Sequence, residues 1–126
     1  MTNIPKQTEY WLKSTKEDFD VGRHLIKAEK IRHGLFFIHL SLEKILKACL
    51  CKNQRKTPPK IHNLPRLAEL ARITLDPQKQ DGLEALNRFC LEGRYPDEQP
   101  VIPGKTEVKR YIKTAKEIFR WLERQL

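Results

Sequence analysis

The chain has 126 residues, enough for a single domain spanning 1–126 with a real hydrophobic core. Its 25 Lys and Arg stand against 16 Asp and Glu, a net charge of +9 that favours polyanions or an acidic protein face as partners. No stretch approaches the roughly 20 apolar residues of a membrane span, and MTNIPKQTEYWLK lacks the apolar core of a signal peptide, so no membrane contact and a cytoplasmic location are expected.

Helical periodicity runs through the whole chain. Glu9 to Lys30 reads as a first helix, with Trp11 or Leu12, Thr15, Phe19, Gly22 and Ile26 at three- and four-residue steps. A second helix is expected from Ile31 or Arg32 to Cys51, and the short Lys30-Ile31 turn makes the two a hairpin. Asn53 to Pro59 is a polar, proline-closed loop. Asn63 caps a third helix that starts near Leu64, with Pro65 in its first turn. Asp76-Pro77 opens a fourth, drawn through to Tyr95 with Leu83, Leu86, Phe89 and Cys90 inward. Pro96 to Gly104 holds three prolines and a glycine and is read as non-helical. Thr106 is expected to cap the last helix, whose inner face is Val108, Ile112, Ala115, Phe119 and Leu122. No segment alternates as a strand does. The expected fold is all-α: an up-and-down antiparallel bundle of about five helices.

Helix two is the most informative element. At about 100° per residue, Ile38, Leu42, Ile45, Leu46, Ala48 and Cys49 cover a side far broader than a surface helix needs. His39, Glu43 and Lys47 form a row on the other side, and Phe36 and Leu40 flank its start. A central bundle helix whose polar side meets a second subunit or a ligand fits this pattern. Phe36, His39, Leu40 and Glu43 are the expected interface.

Charge is unevenly spread. From Lys44 to Arg66 there are seven cations (Lys44, Lys47, Lys52, Arg55, Lys56, Lys60 and Arg66) and no acid. The C-terminal dipole of helix two accounts for Lys47 and Lys52 but not for Arg55, Lys56 and Lys60. A phosphate-binding role for Lys47, Arg55, Lys56 and Lys60 is expected. Between Asp76 and Glu98 the balance reverses, with six acids against three cations. The three cysteines, Cys49, Cys51 and Cys90, form no Cys-x-x-Cys pair and are expected to be reduced thiols. There is no His pair at metal spacing and no Gly-rich phosphate loop, so neither a metal site nor a cofactor is expected.

Four motifs together resemble the HEPN domain (higher eukaryotes and prokaryotes nucleotide-binding). They are Tyr10-Trp11-Leu12, the Phe36-to-Ala48 run with its H-x-x-x-E-K-x-x-K-A pattern, Pro59-Lys60-Ile61-His62-Asn63-Leu64, and Asn87-Arg88-Phe89 with Arg94-Tyr95-Pro96-Asp97. The resemblance implies a helical bundle that commonly forms homodimers and pairs with a small nucleotidyltransferase in a two-gene module of toxin–antitoxin type. Several branches of the family are metal-independent RNA endonucleases, recognised by an Arg, four to six residues, then a His. This chain departs from that pattern, for no histidine follows Asn63. A literal match, Arg32 and His39, lies in helix two, where seven residues span about 10 Å. It is the one candidate catalytic pair. His62, in the loop before the third helix, is read as a loop-fixing hydrogen-bonding residue. Arg94 and Tyr95 either close helix four or hold a phosphate and stack on a base. The expected function is a nucleotide- or RNA-interacting component of such a module, with an RNA endonuclease and a non-catalytic dimerisation module as alternatives.

Overall fold

A computed structural model describes residues 3–91, 95–98 and 100–126. Five α-helices follow one another: α1 (Ile4–Lys27), α2 (Ile31–Gln54), α3 (Leu64–Leu70), α4 (Pro77–Asn87) and α5 (Lys105–Gln125), and the described residues contain no strand. One 3-10 turn, Pro96–Glu98, breaks the segment read as non-helical.

Local chemistry sets most boundaries. The Asn3 side chain accepts a hydrogen bond from the Lys6 N–H, with Pro5 in the first turn, so α1 begins five residues before Glu9. It ends at Lys27 because Glu29 turns into the left-handed region (φ 64°) and the chain reverses into α2. α2 runs three residues past Cys51 and stops where Arg55 adopts φ 51°. Asn63 caps α3 and Asp76 caps α4 through their side chains, as their positions before Leu64-Pro65 and Pro77 predicted. α5 starts at Lys105 with Gly104 as its cap, so Thr106 lies inside the first turn and caps nothing. α4 stops at Asn87, well short of Tyr95. The Asn87 Oδ1 accepts the Leu64 N–H at 2.9 Å, and Phe89 turns into the core edge-to-face with Tyr111, ring centroids 5.1 Å apart.

α2 is the central element. Leu35, Ile38, Leu42, Ile45, Leu46 and Leu50 are fully buried, joined by Leu64 and Leu67 of α3, Leu83 and Leu86 of α4, and Ile118 and Leu122 of α5. Each such side chain contributes about 1.5–3 kcal/mol when removed from water. α1 covers one side of α2 as a hairpin, brought into backbone contact where Gly22 faces Gly34. Cys49 and Cys51 are buried and form no disulfide. Burial pushes the Cys49 thiol up to about 11, which keeps it protonated and unreactive. No described helix is long and apolar enough to cross a membrane.

Candidate functional site

The row His39, Glu43, Lys47 is buried within the chain. Its members are 0, 4 and 6 % exposed within this one chain, covered by the loop that leads from α2 to α3. Pro58 of that loop is buried, and His62 closes over the row. Lys47 Nζ donates to Glu43 Oε2 at 3.0 Å, and His62 Nδ1 donates to Glu43 Oε1 at 3.0 Å. The two carboxylate oxygens thus hold one helix cation and one loop histidine. His39 completes the closure. Its Nε2 lies 3.1 Å from the His62 carbonyl oxygen, which can only accept, so that nitrogen carries the proton. Phe36 stacks on the His39 ring, centroids 6.4 Å apart, and Lys47 Nζ lies 5.5 Å from the centre of the Trp11 ring.

Of the residues read as an interface, His39 and Glu43 lie buried under their own loop, and Phe36 and Leu40 are half-buried beside them. Lys47, read as a phosphate ligand, is nearly buried and paired with Glu43. Arg32 and His39 form no pair: His39 is sealed under the loop, while Arg32 lines a hollow at the α1–α2 turn with His33 and Phe37. Arg94 lies outside the described residues. Tyr95 is 71 % exposed, at the start of the 3-10 turn.

The basic stretch separates into charges paired within the fold and charges left to solvent. Lys44 Nζ is 2.6 Å from Asp18 and 2.8 Å from Ser14 on α1. Lys52 reaches the Leu126 carbonyl oxygen at 2.6 Å, and Arg66 pairs with Glu69 at 2.6 Å. Arg55, Lys56 and Lys60 are exposed and have no ion pair among the described residues. These three lie on the loop that Glu43 anchors through His62. Sequence reasoning read His62 as fixing this loop by hydrogen bonding but did not name Glu43 as its partner. The one available signal was its place in the chain, directly ahead of the α3 cap, facing a carboxylate on the polar row. Among the described residues no group of three His, Cys, Asp or Glu comes together in a way that could hold a metal ion.

Burial holds the His39 imidazole below its ordinary value of 6.5, outweighing the neighbouring Glu43 charge and hydrogen bonds that oppose the shift. The unfolded chain then binds a proton that the folded one refuses, so stability falls as pH drops below about 6.5. Chemical denaturation from pH 7.5 down to 5 is expected to show this loss in the wild type and a flatter profile in His39→Gln. Equal slopes in the two proteins would contradict it.

Comparison with known proteins bears on the fold. The family model described as HEPN domain matches residues 8–125. Two solved structures are similar over almost the whole chain. TT1696 from Thermus thermophilus is 18% identical with a TM-score of 0.77, covering 95% of this chain and 98% of its own. ST0689, an archaeal HEPN homologue, is 20% identical with a TM-score of 0.69, covering 99% and 98%. No curated protein matches the sequence.

Proposed function

The chain belongs to the HEPN domain family, and from that premise we propose that it is a nucleotide- or RNA-interacting protein acting through its α2–α3 loop. One observation carries the reading: Arg55, Lys56 and Lys60 project from a loop pinned to a buried carboxylate, exposed and without ion-pair partners among the described residues. A pinned loop presents its cations with less conformational entropy to lose on binding phosphate. Phosphate contacts of this kind give affinity and salt dependence rather than sequence choice. Within the same proposal the chain is the component that pairs with a small nucleotidyltransferase in a toxin–antitoxin-like module and forms a homodimer, as its family resemblance suggests.

Titration calorimetry with ATP tests the binding reading. Heat is expected at low salt, weaker at moderate salt, and absent from R55Q/K56Q/K60Q; no heat from the wild type at millimolar ATP contradicts it. A second reading, a metal-independent endonuclease, is favoured by the Glu43–His62 pair. Glu43 Oε1 accepts a hydrogen bond from Nδ1 and orients a ring whose side chain is 41% exposed, the carboxylate–imidazole arrangement used in general acid–base catalysis. Incubating the same preparation with mixed RNA in EDTA separates the two. Cleavage lost in His62→Gln supports the second reading, and intact RNA the first.

A further inference from the structure

The other end of α2 carries a surface of different character. Where α1 turns into α2, the segment 100–104 runs alongside, and three concavities adjoin through Ile31, Ile102 and Pro103. The hollow beside α2, about 540 Å³, is lined in part by Ile31, Arg32, Phe37 and Ile102. Val101 is 90 % and Ile102 53 % exposed. Two branched apolar side chains held out between Pro100 and Pro103 are not what a solvated loop requires. Around them stand Lys27, Lys30, Lys105 and Lys109, all exposed, against Glu29 and Glu107. Arg32 Nε is buried without a hydrogen-bond partner, a polar atom that the described residues leave unsatisfied.

We infer that this face docks an acidic, amphipathic segment of another protein. Apolar side chains of that segment would cover Val101, Ile102, Ile31 and Phe37, while its carboxylates meet the lysine rim and Arg32. An apolar centre inside a charged rim is the anatomy of a protein interface. Nucleic acid fits less well, because the aliphatic side chains at the tip, Val101 and Ile102, offer no flat ring on which a base stacks. A two-fold contact with a second copy would set one lysine rim against another, where like charges repel. The surface does not depend on the α2–α3 loop. The 24 residues of α2 separate the two, about 35 Å at the helical rise.

A fluorescent helical peptide, Leu on one face and Glu on the other, tests this by anisotropy against the full chain. Saturable binding below about 1 mM is expected, weakened about tenfold or more in V101S/I102S, whose exposed side chains leave the fold intact. A charge-reversed Lys peptide is expected not to bind. The inference is overturned if the Glu peptide fails to saturate, or if V101S/I102S or a scrambled peptide of equal composition binds as well. Equal competition by oligouridylate would assign the face to nucleic acid instead. A wild-type dimer that V101S/I102S alone dissociates would assign it to a second copy, which also overturns the inference.

Discussion

Replacing Glu43 with Ala is expected to cost about 3–5 kcal/mol, a large part of the stability of a domain this size. The carboxylate is buried and holds two groups at once, Lys47 at 3.0 Å and His62 at 3.0 Å. Without it Lys47, itself nearly sealed from water, is a buried cation lacking its counter-charge, and such a group costs far more than the lost attraction. The loop also loses its anchor, so His62, Arg55, Lys56 and Lys60 no longer hold fixed positions. Glu43→Gln keeps an oxygen and the shape and is expected to lose less. A double variant, Glu43→Leu with Lys47→Met, removes charge on both sides and is expected to recover part of the loss, because apolar replacement of a buried pair is often neutral. Urea denaturation of the four proteins checks this. Glu43→Ala within about 1 kcal/mol of the wild type would mean that the network is not structural.

Gly34→Val is expected to lose about 3 kcal/mol by forcing α1 away from α2. A Cβ at Gly34 would sit 2.5 Å from Ile26 Cγ1, 3.0 Å from the Gly22 carbonyl oxygen and 3.1 Å from the Ile26 nitrogen. Two of these three are backbone atoms, which cannot turn aside as a side-chain tip does. Gly22 faces the same contact, 2.9 Å from the Gly34 carbonyl oxygen, so neither helix can give way. The rise in helix propensity from glycine to a β-branched valine, about 0.4 kcal/mol, offsets little of the cost. Gly104→Ser is the control: nothing lies within 4 Å of its Cβ, and serine is a good cap, so no loss is expected. Thermal melts of both variants check the pair, and an unchanged midpoint for Gly34→Val would contradict the close approach of the helices.

The helices were legible where a local signal sets them. Asn63 with Pro65 and Asp76 with Pro77 start α3 and α4 as their side chains and rings dictate. The breadth of apolar residues on α2 correctly marked it as the central helix. What failed depended on contacts between distant segments. Periodicity shows that His39, Glu43 and Lys47 share a side but not what covers it, and the cover is a loop 19 residues on from Glu43. Counting cations from Lys44 to Arg66 could not reveal that Asp18, across the hairpin, neutralises Lys44. The end of α4 was misplaced because Asn87 serves the Leu64 backbone in another helix. The Gly104 start of α5 was missed for a smaller reason. Thr106 is the better cap by residue type, yet the chain enters the helix two residues earlier.

The loop's role as a phosphate-binding element is tested most directly by the salt dependence of RNA affinity. Anisotropy of a labelled single-stranded RNA, titrated with wild type and with R55Q/K56Q/K60Q across a salt series, gives the slope of log affinity against log salt. Three single-strand phosphate contacts correspond to a slope smaller by about 2 in the variant. The loop assignment predicts that difference together with weaker binding at every salt concentration. Identical slopes and affinities in the two proteins would contradict it.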